Sequence, residues 1–368
     1  MPTFLELYAA LLIDYGVAVK PGDKIYVTST LLAEPLVREV YRLGLRRGAH
    51  VEIKLSFDEQ EKIFLTEAGE DQLQWVNPLQ AHIFEHFDAY LVIRAPFNLR
   101  EEQNNPAEKI KIRQNALKPL NEVYFKRTGD GSMRRCLCQY PTHAAAQEAG
   151  MSLEEYRQFI LKACRLDEDD AQLAWLSVRE QQQKVVDYLN ACTHLRYVNT
   201  GTDIGFSVAG RTWINSDGRA NMPSGEVFTA PVEDSVEGQV YFSYPAIYMG
   251  HEVENIRLDV KNGRIEHWTA TKGQDFLDQI FTIPGTRYFG EAAIGTNYRI
   301  QQITKNILFD EKIGGSIHLA VGQSYYQCGG KNQSSVHWDM ITDMRQGGKI
   351  YADGQLIYEN GVFTGPLA

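Results

Sequence analysis

The spacing of apolar residues predicts alternating helices and strands in the first part of the chain. Apolar positions at helical spacing indicate helices over 3–15 and 36–45, and short apolar runs indicate strands over 24–28, 50–55 and 89–93. The last run is apolar throughout, which is typical of a strand buried on both faces. Strands that alternate with helices predict an open, mostly parallel α/β sheet.

The middle of the chain is mainly helical by the same criteria. We predict a helix over 106–125, a strand over 134–140 and mostly helix over 142–192. Ser152 and Glu155 form a capping box, in which the serine accepts from a first-turn N–H and the glutamate reaches back to the serine N–H. This helical segment is expected to bridge two domains.

From about residue 195 the pattern changes to short segments of alternating apolarity between turn signals. Asn262-Gly263 between two such segments predicts a β-hairpin, and one helix over about 275–280 interrupts the strands. The expected fold class is therefore α/β plus α+β. An N-terminal open α/β sheet domain with a helical bridging segment (1–195) precedes a mainly antiparallel, β-rich C-terminal catalytic domain (196–368).

Length and composition narrow the class of protein. A chain of 368 residues suggests two domains. Its formal net charge of −10 argues against a nucleic-acid partner, because phosphates are bound by basic surfaces. The five cysteines are odd in number and form no C-x-x-C pair, which favours reduced thiols in the cytoplasm. We find no signal peptide and no apolar run near the roughly 20 residues that span a bilayer.

Residues that could hold metal ions are concentrated in the last third of the chain. His337 and Asp339 are two apart in a predicted strand, so their side chains point to one face. Together the candidates provide enough nitrogen and oxygen ligands for two divalent cations such as Zn²⁺, Co²⁺ or Mn²⁺, and they are Glu226, Glu291, His318, Tyr325, His337 and Asp339.

Each candidate also has an ordinary structural explanation. Glu226 could be a charge at a strand edge, His318 a core histidine bonded to a carbonyl, Tyr325 a packing residue, and His337 with Asp339 a surface pair. Glu291 precedes three apolar residues, and a buried carboxylate there must be paired, protonated or coordinating. Spacing alone leaves open whether these residues form a metal site or are unrelated. The sequence beginning at His251 is not a zincin helix, because the second histidine is missing.

Four motifs carry a resemblance to a known family. They are N-M-P-S-G-E-V-F-T-A-P around Glu226, G-E-A-A-I-G-T-N from Gly290, I-H-L-A-V-G-Q-S-Y from Ile317 and G-G-K-N-Q-S-S-V-H-W-D from Gly329. In order and approximate spacing they resemble the metal-binding signature of the aminopeptidase T / aminopeptidase S family of metallo-aminopeptidases. Weaker similarity extends into the first domain, so the resemblance covers most of the chain.

The resemblance implies a dinuclear centre of divalent ions (Zn, Co, Mn or Mg) that removes N-terminal residues from peptides with a free N-terminus, in a homodimer. The expected metal ligands are Glu226, Glu291, His318, His337 and Asp339, with Tyr325 close by. Tyr325 is expected to ligate weakly or to hydrogen-bond the developing oxyanion. Glu291 or Asp339 is expected to bridge the ions. Tyr325 and Glu291 are thus the residues to which a catalytic part is assigned.

Two other functions remain open at this stage. A homologue that binds peptide or metal without catalysis would keep the fold and lose turnover. Another dinuclear metallohydrolase, such as a phosphoesterase, would need a basic pocket for phosphate oxygens, and only Arg287 and Arg299 lie near the motifs.

Overall fold

The computed structural model describes residues 2–101, 103 and 105–368. The chain forms two compact units, one of Met1–Gln172 with Gly218–Pro223 and one of Leu173–Asp217 with Ser224–Ala368. The helices, in chain order, are α1 (Phe4–Ala10), α2 (Glu34–Arg46), α3 (Gln60–Glu67), α4 (Glu70–Gln74), α5 (Pro78–His86), α6 (Ala107–Gly129), α7 (His143–Glu148), α8 (Leu153–Ala163), α9 (Ala171–Asn190), α10 (Gln274–Ile280) and α11 (Ile307–Asp310), and a π-helical turn (Leu11–Gly16) follows α1.

The strands alternate with helices in the first part of the chain and follow one another directly in the second. They are β1 (Lys24–Thr30), β2 (His50–Ser56), β3 (Ala89–Arg94), β4 (Arg134–Gln139), β5 (His194–Asn199), β6 (Thr202–Ser207), β7 (Ile214–Ser216), β8 (Asn221–Met222), β9 (Glu226–Thr229), β10 (Glu237–Phe242), β11 (Ala246–Tyr248), β12 (His251–Val253), β13 (Ile256–Lys261), β14 (Arg264–Thr269), β15 (Phe289–Gly295), β16 (Ser316–Gly322), β17 (His337–Asp343), β18 (Lys349–Ala352), β19 (Gln355–Glu359) and β20 (Val362–Phe363).

The first unit is the expected open α/β sheet. Its strands pair in the order β2-β1-β3-β4-β8 and run parallel. β3 differs from the expectation of a strand buried on both faces. Ala89, Leu91 and Ile93 are buried, whereas Tyr90 and Val92 are half-buried, and the Tyr90 ring packs against the aromatic rings of Tyr26, Phe84 and Tyr124. The expected capping box of Ser152 and Glu155 is present at α8.

The second unit is the expected β-rich part. One antiparallel sheet has the order β14-β13-β10-β6-β5-β18-β19-β20 and another the order β17-β16-β15-β9-β7. Asn262 and Gly263 form the predicted hairpin between β13 and β14, and both have the positive φ that a two-residue type I′ turn requires. Both sheets contribute side chains to one apolar core, which also receives Val185, Val186 and Leu189 of α9.

Two boundaries differ from the sequence expectation. The expected division at residue 195 falls after α9, whereas the compact units divide at Gln172 and Leu173, because the apolar face of α9 packs in the core of the second unit. β8 returns to the first unit and pairs with β4. The motif around Glu226 therefore begins in one unit and ends in the other. Among the described residues, no helix is long and apolar enough to cross a membrane.

Candidate metal centre

The candidate ligands lie on one face of the sheet β17-β16-β15-β9-β7. Its antiparallel register aligns Asp339, Ala320 and Glu291 in one row across three strands. His318 is two residues from Ala320, and His337 is two from Asp339, so both histidines share this face. Glu226 pairs with Gly295, which is four residues along β15 from Glu291. Because this spacing is even, Glu226 lies on the same face as Glu291. Sheet register thus collects ligands from four strands.

The other face of the same sheet is apolar, which fixes which side the ligands take. Ala292 and Ile294 of β15, Ile317 and Leu319 of β16 and Trp338 of β17 all belong to the core of the second unit. Because side chains alternate along a strand, burying this set directs the intervening residues to the opposite face. On that face alanine and glycine separate the ligands, which leaves room between the charged side chains.

One group of ligands, here called the His337 group, consists of Glu291, His337 and Asp339. Their ligand atoms lie within 4.8 Å of one another. The His337 Nε2 atom is 3.1 Å from Glu291 Oε2 and 3.5 Å from Asp339 Oδ1. The His337 Nδ1 atom is 2.7 Å from the carbonyl oxygen of Gln323. A carbonyl can only accept, so Nδ1 donates and Nε2 is turned toward the carboxylates, as is typical of metal-binding histidines.

A second group, the His318 group, consists of Glu226, Glu311 and His318, and its ligand atoms also lie within 4.8 Å of one another. The His318 Nε2 atom is 3.6 Å from Glu226 Oε2. Lys312 lies beside this group, with its Nζ atom 3.3 Å from Glu226 Oε1 and in direct contact with Glu311. Its side chain is 0% exposed. The His318 group therefore already contains a cation of the protein itself.

Glu291 connects the two groups. Its Oε2 atom faces His337, and its Oε1 atom is 3.7 Å from the Nε2 atom of His318. Asp339 also approaches both histidines, because its Oδ1 atom is 4.0 Å from His318 Nε2 and 3.5 Å from His337 Nε2. Two adjoining groups that share carboxylates in this way match the arrangement expected of a site for a pair of ions.

The ionisation of these residues reflects the crowding of carboxylates. Burial raises the pKa of Glu311 to about 8, although Lys312 acts in the opposite direction. Against the effect of burial, Glu291 and Asp339 raise the pKa of His318 to about 9. Burial would also raise the pKa of Asp339, but His337 lowers it to about 2. Positive charge is therefore strongly favoured at this face of the sheet.

Lys312 responds to the same carboxylates. Burial acts to lower its pKa, but Glu226 and Glu311 raise it above the usual value. The ammonium group is thus held in its charged form by the residues it contacts.

Tyr325 lies beside the His337 group, on the segment between β16 and β17. Its ring is 5.0 Å from the His337 ring and 5.4 Å from the Phe228 ring, measured between centroids. The residue is 39% exposed. Burial of the phenol, followed by the charges of Glu291 and Asp339, raises the pKa of Tyr325 well above its usual value. A neutral hydroxyl that can donate a hydrogen bond is therefore available next to the carboxylates.

The residues present fit a metal site by a criterion independent of sequence motifs. The Oε2 atom of Glu226 and the Oδ1 atom of Asp339 are buried and have no hydrogen-bond partner among the described residues. Buried polar atoms are almost always hydrogen-bonded, so such atoms require an explanation. Carboxylate and imidazole donors that converge in this way are suited to divalent transition metals.

The five predicted ligands thus meet at one face of one sheet with Tyr325 beside them, and two more residues join them. Glu311 and Lys312 were not among the candidates. They follow α11 directly in the run Asp310-Glu311-Lys312, which is flanked by apolar Phe309 and Ile313. A charged run between apolar residues is a signal that could have marked them, since charges so placed must be paired when buried.

The chain matches known proteins along almost its whole length. The sequence model of the thermophilic metalloprotease family (M29) matches residues 2–363. Aminopeptidase AmpS of Bacillus subtilis is 29% identical in an alignment of 406 positions that covers 97% of this chain and 97% of that protein. Aminopeptidase T of Thermus thermophilus is 28% identical in an alignment of 402 positions that covers 98% of this chain and 96% of that protein.

A solved structure supports the fold. The structure of wild-type AmpT from Thermus thermophilus superposes with a TM-score of 0.84 at 24% identity, covering 98% of each chain. The structural match shows a mixed α/β fold, and the sequence model defines the class of protein as a metalloprotease. The chain belongs to the thermophilic metalloprotease family (M29), which confirms the family resemblance predicted from the four motifs.

Proposed function

We propose that this chain is a metal-dependent aminopeptidase that removes the N-terminal residue of peptides at a centre of two divalent ions. The observation that carries the proposal is the pair of adjoining ligand groups, the His318 group and the His337 group, with Glu291 facing both. Membership of a metalloprotease family supports the metal-dependent chemistry. Relatives named as aminopeptidases along nearly the full length of the chain support the exopeptidase activity.

The ions, when bound, supply a Lewis acid for the scissile carbonyl and lower the pKa of a water molecule toward neutrality. The protein's own residues hold and orient the reactants. Glu291, whose two carboxylate oxygens face different histidines, and Asp339, the second carboxylate that faces both histidines, are the residues that would help to hold both ions. The buried carboxylates are the acceptors available for the proton that the attacking water loses.

Restriction to the first residue of a peptide follows from the charge of the site. A free α-amine would be held as an ammonium group by the carboxylates, or, after losing its proton to one of them, would be a further nitrogen donor for an ion. The hydroxyl of Tyr325, kept neutral by its raised pKa, would hydrogen-bond the oxyanion that develops on the scissile carbonyl. The competing phosphoesterase function would need a basic pocket for phosphate oxygens, and Arg287, one of the two arginines near the motifs, instead packs over the Trp268 ring at 4.4 Å.

Two further features of the proposal concern the whole molecule. We propose a homodimer, which sedimentation velocity would test. We also propose the cytoplasm as its location, because the cysteines are free and nearly all buried, a pattern that suits a reducing compartment.

The test is hydrolysis of a leucyl chromogenic amide by chelator-stripped protein, before and after Zn²⁺, Co²⁺ or Mn²⁺ is added separately. We expect activity to disappear with the chelator and to return with metal. His337→Ala should reduce metal occupancy and activity together, by at least about a hundredfold. The reason is that even the loss of a residue that only hydrogen-bonds a metal ligand lowers metal affinity or activity about 10- to 100-fold. The exposed His267 provides the matched control, since His267→Ala removes an imidazole away from the ligand groups.

Each outcome bears on a different part of the proposal. Full activity of metal-loaded His337→Ala would contradict its assignment as a ligand. Absence of amide hydrolysis by the unmodified protein at confirmed two-ion occupancy would contradict the aminopeptidase function. Phosphoester hydrolysis without amide hydrolysis would favour the other class of dinuclear hydrolase.

A further inference from the structure

Lys312 is a fully buried lysine that contacts two carboxylates of one ligand group. Its Nζ atom is 3.3 Å from Glu226 Oε1 and in direct contact with Glu311. These are both of the carboxylates of the His318 group. A fixed ammonium ion and a divalent cation would therefore share the same pair of ligands.

The backbone around Lys312 holds the side chain in this position. The Lys312 carbonyl oxygen accepts from the N–H of Asn297 at 3.0 Å, and the N–H of Gly314 donates to the Asn297 carbonyl at 3.0 Å. A Cβ atom added at Gly295 would come within 2.2 Å of the Ile313 carbonyl oxygen, so the two segments are as close as glycine permits. Because the segment is locked and the side chain has no exposed surface, the ammonium cannot turn into solvent when an ion arrives.

Within the described part of the chain, the His337 group has no equivalent cation, because Glu291 and Asp339 form ion pairs with His318 and His337 and with no lysine or arginine. The groups that face Glu291 and Asp339 are imidazoles, which can themselves serve as metal ligands, whereas the group that contacts both carboxylates of the His318 group is a lysine ammonium. The two groups therefore differ in charge although each offers two carboxylates and one imidazole.

We propose that Lys312 makes the two halves of the metal site unequal, so that the His337 group binds its ion tightly and the His318 group binds its ion weakly. This inference rests on the proposed two-ion function and deepens it. Lys312 repels an ion in the His318 group and occupies one oxygen of Glu226 that would otherwise be free to coordinate. The chain would then fill its centre in order, the His337 group first.

The expected size of the effect follows from Coulomb's law. Repulsion between a single and a double positive charge a few ångströms apart inside a protein corresponds to at least about a tenfold change in affinity, even with strong screening. Replacing Lys312 by a neutral side chain of similar length should therefore tighten the weaker site by at least about tenfold. The tighter site should change less, because the contacts of Lys312 are with the His318 group.

The experiment is a titration of chelator-stripped protein with Zn²⁺ or Mn²⁺ against a chromophoric competing chelator, with the bound metal counted by mass spectrometry. Unmodified protein is compared with Lys312→Met and Lys312→Gln. Lys349→Met is the matched control, because Lys349 is paired with Glu359 on another sheet and the substitution removes the same charge. Circular dichroism of the metal-free variants establishes that they are folded.

We expect the unmodified protein and Lys349→Met to bind two ions with unequal affinity. In both Lys312 variants the more weakly bound ion should be bound at least about tenfold more tightly. Glu311→Gln should abolish the weaker ion and spare the tighter one. If the Lys312 variants bind the weaker ion no better than the unmodified protein, the inference is overturned while the two-ion proposal stands. If the unmodified protein binds neither ion, the proposed function falls and the inference falls with it.

Discussion

Arg211 and Glu233 clamp the segment that carries Tyr325. The Arg211 Nη2 atom is 2.5 Å from Glu233 Oε2, and Arg211 Nη1 donates to the Gly329 carbonyl. The other oxygen of Glu233 accepts from the backbone N–H of Lys331 at 2.6 Å. The pair thus forms hydrogen bonds with the backbone of Gly329 and Lys331. The N–H of Gly330, which lies between them, donates to the Tyr325 carbonyl at 3.3 Å. We predict that breaking the clamp misplaces Tyr325 and leaves the metal ligands in position.

The perturbation is Arg211→Met, which keeps the apolar stem and removes the guanidinium. The side chains of Arg211 and Glu233 are 6% and 23% exposed, so the pair is largely removed from water. Breaking a buried pair costs about 3–5 kcal/mol, and the partial exposure of Glu233 reduces the expected loss in unfolding free energy to about 2–4 kcal/mol. Glu233→Gln and the double variant complete a double-mutant cycle, from which we expect a coupling free energy of about 1–3 kcal/mol.

The assays are urea unfolding, steady-state kinetics on the leucyl amide and metal content. We expect kcat to fall about ten- to a hundredfold, because displacements near 1 Å have effects of this size, with metal content unchanged. The exposed pair of Arg196 and Asp203 gives the control, and Arg196→Met should cost about 1 kcal/mol or less. If Arg211→Met is destabilised yet keeps the kcat of the unmodified protein, the positioning argument is refuted. Loss of metal would show that the effect passes through the ligands instead.

The remaining predictions concern the sheet that carries the ligands. Ala320 lies in register between Glu291 and Asp339, so Ala320→Leu should overpack the space between them and weaken metal binding at least about tenfold in a chelator competition; unchanged binding would contradict the register. On the opposite face, Leu319→Ala should lower the unfolding free energy by about 2–5 kcal/mol in urea and leave metal stoichiometry unaltered. Against the effect of burial, hydrogen bonds from Arg345 lower the pKa of Asp343. A lowered folded-state pKa adds stability above about pH 4 that is lost as the pH falls below that value. Asp343→Asn should therefore cost about 1–3 kcal/mol at pH 7, and the difference should close at lower pH in urea unfolding; a pH-independent difference would rule this explanation out.

Much of the fold follows from local patterns in the sequence. The change from helical spacing to alternation near residue 195 separates the α/β part from the β-rich part. The Asn262-Gly263 turn and the capping box at Ser152 each depend on a few neighbouring residues, and both are present. Such features are readable because the physical preference of the backbone is satisfied within one turn or one strand.

The division into units could not be obtained in this way. α9 has the sequence of an amphipathic helix in either unit, and only its packing against the core of the second unit decides where it belongs. Asn221 and Met222 precede Glu226 by a few residues, yet they pair with β4 in the sheet of the first unit. No local sequence pattern marks the residue at which the chain passes from one unit to the other, because a short strand has the same residue spacing in either sheet.

For the candidate site, the sequence by itself determined the chemistry of the ligands and, at His337 and Asp339, that two of them share a face. The tertiary structure decided that β9, β15, β16 and β17 pair in the register that brings all the ligands together, with alanine and glycine between them. It also decided that Glu311 and Lys312 face this site and not solvent. The physical reason is that period-2 alternation specifies the face of a side chain within one strand, whereas cross-strand register depends on which strands the buried core brings side by side.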